Sequence, residues 1–211
     1  MKFGGSLLDN ENKLNNVINI IKSYYSLDNE IVVIISALHG ITDKILDLCN
    51  HIKKVNKNSL SLFIKNIEFV HQSLIDKMIL NEKEKSKLMQ LINNLINEFR
   101  DVLLGISILG EVTPKSQDYL LSFGERLSTP IISYALNSAG LKSNYLNGKE
   151  VGILTNSHFG DAKPLMDTTK LRIHHKIEPL LREKTIPVVT GFIGCDQNGN
   201  ITTIGRGGSD Y

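Results

Sequence analysis

Two short, uninterrupted apolar runs, rich in β-branched residues, most constrain the fold of this chain. They cover residues 30–37 and 186–193. Both have the length of a strand, and a strand that is apolar at nearly every position is buried on both faces, as in a parallel sheet. Parallel strands need crossover connections that are usually helical, so the two runs predict an α/β protein.

Helical periodicity fills most of the chain around these runs. Apolar residues recur at every third or fourth position through 12–25, 116–139 and 171–183, and through a long stretch of about 42–110. We expect breaks at Gly105 and Gly110 and a kink or break at Pro130. Short strands are predicted at residues 2–4, 143–146, 152–155 and 200–204, the last after a turn at 196–199. The expected fold is a three-layer α/β/α sandwich with a mostly parallel sheet and a helical excursion at about 42–110.

Composition excludes several classes of function. The 24 basic and 22 acidic side chains leave a net charge of +2, which gives no electrostatic case for nucleic acid or an anionic membrane. No apolar run reaches the ~18 residues of a membrane span, and no signal-peptide pattern opens the chain. Cys49 and Cys195 have no metal-ligand spacing, so we expect free thiols, a cytoplasmic protein and no metal site made by side chains alone.

The segment Lys2-Phe3-Gly4-Gly5-Ser6 follows the first predicted strand. Glycines at such a place let backbone N–H groups approach a phosphate, and a neighbouring lysine adds a compact positive charge. The sequence has no P-loop pattern, so any nucleotide site here belongs to another class. A simple Gly-Gly turn beside an exposed lysine is the alternative interpretation.

Polar residues also follow the second predicted strand, in Ser36-Ala37-Leu38-His39-Gly40-Ile41-Thr42. Ligands of open α/β sheets gather at the carboxyl ends of strands, where Ser36 and Thr42 can hydrogen-bond a carboxylate. Thr42 is alternatively the cap of the next helix, and His39 alternatively an ordinary loop residue.

The stretch Leu121-Ser122-Phe123-Gly124-Glu125-Arg126-Leu127-Ser128 places charges in an otherwise apolar helix. Glu125 falls near apolar positions and is expected to be partly buried, which requires a cationic partner. That partner is either Arg126 or another protein cation, or the ammonium group of a substrate.

A second glycine cluster, Gly205-Arg206-Gly207-Gly208-Ser209-Asp210, follows the last predicted strand. So many glycines are costly unless the backbone must approach a ligand closely. Its N–H groups predict an anion-binding nest, with Arg206 as a bidentate clamp for carboxylate or phosphate.

Together, KFGGS, SALHGIT, LLSFGERLS, VVTGFIG and TTIGRGGSDY resemble, in order, the motifs of aspartate kinases of the amino acid kinase superfamily. The resemblance extends over the whole chain, although Leu7 stands where many of these enzymes have serine. It implies the superfamily fold and transfer of the ATP γ-phosphoryl group to the β-carboxylate of L-aspartate, with Mg²⁺ held mainly by the phosphates. Another acceptor within the superfamily is the first alternative, and a non-catalytic aspartate-binding fragment is the second.

The resemblance also implies roles for individual residues. Lys2 and Asp210 are the expected catalytic residues. The ATP phosphates would contact Lys2, Gly4, Gly5 and Ser6. L-aspartate would contact Ser36, Thr42, Glu125, Phe192, Arg206, Ser209 and Asp210, with Arg206 on its α-carboxylate and Glu125 on its ammonium.

The family's chains continue beyond these motifs. By this resemblance, we expect residues 1–211 to be the N-terminal part of a catalytic domain, truncated before the base and ribose contacts of ATP and before the regulatory ACT domains. We therefore expect a chain of this length to be inactive by itself and to self-associate, and the parent enzyme to be a homo-oligomer.

Overall fold

The central sheet of the computed structural model, which describes residues 1–205, consists of parallel strands. They are β1 (Lys2–Phe3), β2 (Val33–Ile35), β3 (Ser143–Leu146) and β4 (Ile186–Thr190), arranged in the order β1-β2-β4-β3. Ile34 of β2 lies in register with Lys2 on one side and with Val189 on the other. Because the strands are parallel, the segments that follow β1, β2 and β4 emerge at the same edge of the sheet.

The last predicted strand of this sheet is shorter than expected. We predicted one strand over residues 186–193, but β4 ends at Thr190. Phe192 then takes a positive φ of 63°, and the chain turns away into β5 (Ile193–Cys195). β5 pairs antiparallel with β6 (Ile201–Thr203) in a separate two-stranded sheet. The strand predicted over residues 30–37 is also shorter in the structure. β2 covers only Val33–Ile35, and its pairing with β1 and β4 does not extend beyond these residues.

Eight α-helices lie within residues 1–205. They are α1 (Glu11–Tyr25), α2 (Ile41–His51), α3 (Lys57–Met78), α4 (Glu82–Leu109), α5 (Pro114–Leu121), α6 (Phe123–Ser138), α7 (Gly148–Val151) and α8 (Met166–Arg182). Short 3-10 turns add Gly5–Leu7 and Ile52–Lys54. Side chains of Asn10, Asn56, Asn81, Thr113 and Asn147 accept N–H groups of the first turns, which explains where five of the helices begin.

Residues of the sheet alternate between two apolar layers. Val33, Ile35 and Val188 belong to the main core, which they share with apolar residues of α1–α6. Their neighbours Ile34 and Val189 belong to a smaller cluster on the opposite face, where Ile177 of α8 packs. This alternation confirms the three-layer α/β/α arrangement, because each face of the sheet is covered by helices.

The helical excursion is confirmed as α2, α3 and α4, with one difference in its predicted breaks. Gly110 ends α4 at a positive φ of 67°, a conformation that suits glycine. Gly105 lies within α4 and does not interrupt it, because a single glycine weakens a long helix without preventing it. The excursion joins the main core through Phe99 of α4, whose ring centroid lies 5.0 Å from that of Phe123 in α6.

The break in the next predicted helix falls at Ser122 and not at Pro130. Ser122 separates α5 from α6, and its hydroxyl donates to the Tyr119 carbonyl at 2.6 Å. Such side-chain hydrogen bonds compete with the helical ladder and bend helices. Pro130 lies inside α6, which continues to Ser138 because most of its residues are buried by packing.

Residues 152–155 do not form the strand that we predicted. Leu154 and Thr155 make isolated bridges, to Cys195 and Pro164 respectively.

Cys49 and Cys195 are both buried free thiols, and burial raises the pKa of each. Within the described part of the chain, no helix has both the length and the apolar character needed to cross a bilayer.

Candidate functional site

A pocket of about 430 Å³ opens at the edge of the sheet where β1, β2 and β4 end. Its lining contains most of the site residues predicted from the sequence within the described range. These are Lys2, Gly5, Ser6, Ser36, Thr42, Glu125 and Phe192. Ala37, Leu38, His39, Gly40 and Asp43 complete the lining. Arg206, Ser209 and Asp210 lie outside the described residues, so their placement stays a prediction.

The first glycine cluster forms one wall of this pocket. Gly4 precedes the 3-10 turn Gly5–Leu7, in which the Leu7 N–H donates to the Gly4 carbonyl at 2.9 Å. A Cβ atom on Gly5 would lie only 2.8 Å from the Ala37 carbonyl oxygen. Gly5 is therefore required for the close approach of this turn to the segment after β2. Gly4 does not line the pocket but starts the turn that does.

The segment after β2 enters α2 through Gly40, whose φ is 74°. Gly40 is the N-cap residue of α2, and Thr42 already lies in the first turn. The alternative interpretation of Thr42 as a helix cap is therefore wrong. Thr42 lines the pocket at the N-terminus of α2, and Ser36 lines it at the carboxyl end of β2. The N–H groups and hydroxyls at these two places are suited to an anionic ligand.

Glu125 reaches the pocket from α6 as a buried carboxyl. It is 4% exposed, and its Oε1 accepts the Ala37 N–H at 3.1 Å. Its Oε2 is buried and has no hydrogen-bond partner among the described residues. Burial raises the pKa of Glu125 to about 8, and the hydrogen bond from Ala37 offsets only part of that rise. A carboxyl group held in this way is prepared to receive a donor from the pocket.

Arg126 is not the partner of Glu125. Its Nη2 donates to both oxygens of Glu98 in α4, at 2.9 and 2.7 Å. Its guanidinium carbon also lies 4.3 Å from the centroid of the Phe123 ring. The mostly buried Arg126 thus ties α6 to the helical excursion. Arg126 was one of the possible cationic partners of Glu125, and its pairing with Glu98 excludes it. This favours the ammonium group of a ligand as the partner of Glu125.

Two contacts bring α6 close to the segment after β2. The Ser128 hydroxyl donates to the Ser36 carbonyl at 2.8 Å. A Cβ atom on Gly124 would lie 2.7 Å from the Ala37 Cβ and 3.3 Å from the Thr42 hydroxyl oxygen. Only glycine at position 124 allows this approach without a shift of the backbone, and the approach places Glu125 beneath the pocket.

Sequence reasoning missed Asp118 of α5. Its carboxylate is fully buried and accepts hydrogen bonds from the Gly160 N–H and from both the N–H and the hydroxyl of Thr203. Asp118 precedes Glu125 by two helical turns, with buried Leu121 and Ser122 between them. An acidic residue on the apolar side of a helix was the signal that could have drawn attention to it.

Two larger concavities lie elsewhere on the molecule. One, of about 840 Å³, lies beside Asn15 of α1 and Leu80. The other, of about 780 Å³, lies beside Lys115 of α5 and Lys149 of α7. Neither contains a residue of the first glycine cluster or a buried carboxyl without a partner. The smaller pocket is the better candidate because convergent polar groups, rather than volume, distinguish a functional site.

The family model of the amino acid kinase family matches residues 1–211. The chain therefore belongs to the amino acid kinase family. Within that family its resemblance is to aspartokinases, as the motifs predicted. Aspartokinase 2 of Arabidopsis thaliana, a chloroplastic protein, is 32% identical over 213 residues, covering 100% of this chain and 38% of that protein. An aspartokinase of Helicobacter pylori is 30% identical, covering 99% of this chain and 36% of that protein.

Solved structures show the same likeness. E. coli aspartokinase III in complex with aspartate and ADP matches 100% of this chain with a TM-score of 0.85 and 25% identity. The same enzyme in complex with lysine and aspartate matches with a TM-score of 0.80 and 26% identity. The chain spans 44% of each of those solved chains and less than half the length of its curated relatives.

Proposed function

We propose that this chain is part of the catalytic domain of an aspartate kinase. The reaction is transfer of the γ-phosphoryl group of ATP to the β-carboxylate of L-aspartate, which gives 4-phospho-L-aspartate. This is the first step of lysine, threonine and methionine biosynthesis. The observation that carries the proposal is the buried Glu125 carboxyl, one oxygen of which has no hydrogen-bond partner within residues 1–205, in the same pocket as Lys2 and the first glycine cluster.

The acceptor side of the pocket suits an amino acid. The buried Glu125 Oε2, which has no described partner, would accept the substrate ammonium, and the ammonium would supply the charge that a buried carboxylate needs. Ser36, Thr42 and Phe192 line the same space. By the family resemblance, Arg206 binds the α-carboxylate, and Ser209 and Asp210 complete the pocket. The presence of aspartate in the related E. coli complexes supports this assignment.

The donor side of the pocket suits the phosphates of ATP. Gly5 and Ser6 of the turn after β1 line this side of the pocket, and backbone N–H groups of such a glycine turn can bind a phosphate. Lys2 lines this side and would neutralise charge on the transferred group. No group of three or more His, Cys, Asp or Glu side chains is arranged to hold a metal within residues 1–205. By the family resemblance, Mg²⁺ would bind mainly through the phosphates, where it supplies further charge neutralisation.

Catalysis then needs no general base, because the β-carboxylate of aspartate is already ionised at neutral pH. The residues act by orienting the acceptor for in-line attack and by stabilising the charge of the transferred phosphoryl group. Glu125 and Arg206 would orient the acceptor through its ammonium and α-carboxylate. Lys2 and Asp210 are the proposed catalytic residues at the point of transfer.

The test is an ADP-release assay on the full-length protein that contains this chain, with Mg-ATP and L-aspartate. Glu125→Ala and Arg206→Ala should each weaken binding of aspartate or its transition state by about 2–4 kcal/mol. Lys2→Ala should lower kcat with little change in the aspartate KM. Lys22→Ala, at an exposed position of α1, is the matched control and should behave as wild type.

The acceptor is identified by replacing aspartate with glutamate or N-acetylglutamate in the same assay. Activity with aspartate alone supports the proposal. A preference for another acceptor assigns the chain to a different activity of the family, and unchanged aspartate kinetics in Arg206→Ala and Glu125→Ala would refute the pocket.

A further inference from the structure

Asp118 is a buried carboxylate that has only neutral partners within residues 1–205. It is 0% exposed, and no ion pair of the described residues includes it. The Gly160 N–H lies 3.0 and 3.1 Å from its two oxygens. The Thr203 N–H donates to Oδ2 at 2.9 Å, and the Thr203 hydroxyl donates to Oδ1 at 2.6 Å. Hydrogen bonds to a carboxylate are short and strong, so this group connects α5, β6 and the loop at Gly160 in a defined geometry.

The backbone that Asp118 holds leads directly to the candidate site. The Thr203 carbonyl accepts the Ala162 N–H at 3.0 Å, on the side of the strand where the Gly160 loop lies. The next residue, Ile204, donates its N–H to the Phe192 carbonyl at 2.8 Å. Phe192 lines the pocket and has a φ of 63°, a backbone conformation that a non-glycine residue keeps only when its surroundings hold it.

β6 is followed, after Ile204, by Gly205, the first residue of the second glycine cluster. A Cβ atom on Gly205 would lie 2.3 Å from the Asp161 Oδ1, so the chain passes close to the loop that Asp118 also holds. Asp118 is thus connected through Thr203 and Ile204 to Phe192 on one side and to the start of the Gly205 segment on the other. An apolar residue would fill the same volume without the desolvation of a charge, but it would not fix the register of these hydrogen bonds.

We infer that Asp118 is a positioning residue for the acceptor side of the site. Its carboxylate holds the end of β6, and through it the backbone of Phe192 and the start of the second glycine cluster. The expected effect on the aspartate KM rests on the proposed function. The effect of Asp118 on the backbone at Ile204 and Phe192 can be tested without enzyme activity. The inference assigns Asp118 an effect on the amino acid acceptor and not on ATP, because the first glycine cluster and Lys2 are held by other contacts.

The kinetic test uses Asp118→Asn in the full-length protein. An amide keeps one acceptor oxygen and turns an NH₂ group toward N–H donors, so at least one buried donor loses its partner. We expect the aspartate KM to rise by about tenfold, because displacement of Phe192 and Gly205 weakens the acceptor contacts and a loss of about 1.4 kcal/mol in binding is a tenfold change. The ATP KM should stay within about twofold of wild type. Asp101→Asn, at an exposed position of α4, is the matched control.

A milder pair of variants keeps the test informative if Asp118→Asn does not fold. Thr203→Val removes only the hydroxyl donor in a similar volume, whereas Thr203→Ser keeps it. The valine variant should raise the aspartate KM, and the serine variant should stay near wild type. In the double variant, the effects of Thr203→Val and Asp118→Asn on the aspartate KM should not add, because both substitutions disrupt the same contact between Thr203 and Asp118. Lower thermal stability with an unchanged aspartate KM in both variants would overturn the inference.

Hydrogen exchange separates this inference from the proposed function. In Thr203→Val and Asp118→Asn, the Ile204 amide should lose protection, while the Ile34 amide in β2 should keep it. If the wild-type protein does not phosphorylate aspartate, the proposed function fails, and the exchange result still decides the positioning role. Unchanged protection at Ile204 in folded variants would overturn that role even in an active aspartate kinase.

Discussion

Binding of an amino acid in the candidate pocket should release a proton from Glu125. Without a ligand, burial raises the pKa of this carboxyl to about 8, and one of its oxygens has no hydrogen-bond partner in the described part of the chain. At pH 7 it is therefore about 0.9 protonated. A substrate ammonium beside it favours the charged form and lowers the pKa again. Binding of aspartate at pH 7 should release about 0.9 proton per site, and at pH 9 only about 0.1.

The assay is titration calorimetry of the full-length protein with aspartate, in buffers of equal pH but different ionisation enthalpies. The dependence of the observed heat on buffer enthalpy gives the number of protons released. Between pH 6 and pH 7 the aspartate affinity should rise about tenfold, because the deprotonation needed for binding becomes easier by one pH unit. Glu125→Gln should bind more weakly and should show neither the proton release nor this pH dependence.

Proton release from Glu125 must be distinguished from proton release by other titratable groups in the pocket. Lys2, His39 and Asp43 line the same pocket, from β1, the segment after β2, and α2. His39→Asn removes the imidazole and is the control: proton release that persists in this variant and disappears in Glu125→Gln belongs to Glu125. No proton release by the wild-type protein at pH 7, with aspartate bound, would refute the protonated state of Glu125. The same release in Glu125→Gln would assign the proton to another group.

The same pKa has a consequence for the unliganded protein. The carboxyl binds a proton more tightly when folded, with a pKa near 8, than in its ordinary state near 4.5. Its contribution to stability is therefore fully present below about pH 4.5 and is lost as the pH rises toward 8. Between these values the free energy of unfolding of the wild type, relative to Glu125→Gln, should fall by about 1.4 kcal/mol per pH unit. Denaturant unfolding at pH 5, 6 and 7 measures this difference, and a flat difference would contradict it.

Two further predictions concern the packing that supports the pocket. Gly124→Ala places a Cβ 2.7 Å from that of Ala37 and should destabilise the protein by about 1–3 kcal/mol in thermal or denaturant unfolding. Wild-type stability would show that α6 can move away from the segment after β2. Glu98→Gln removes the negative charge that pairs with Arg126 and should lower the free energy of unfolding by about 1–3 kcal/mol. Tyr119→Phe removes only the hydroxyl that donates to Glu98, so its loss of stability should be smaller. Equal stabilities for Glu98→Gln and wild type would mean that the cluster adds no net stability.

Local sequence patterns were sufficient for the broad architecture. Apolar periodicity predicted α1, the long helical excursion and the buried strands β2 and β4, because burial of one helical face or of both faces of a strand leaves a period in the sequence. The first glycine cluster after β1 and the polar segment after β2 predicted the edge where the pocket lies, since parallel strands bring their carboxyl ends together. The aspartokinase resemblance followed from the same segments.

The partners of buried charges depended on the tertiary structure. Arg126 stands next to Glu125 in the sequence, yet it pairs with Glu98, 28 residues away. Asp118 finds its donors 42 and 85 residues further along the chain. A buried charge takes whichever partner packing brings within hydrogen-bond distance, and no local period records that choice. The end of β4 depends likewise on Phe192, whose positive φ is held by the distant Ile204.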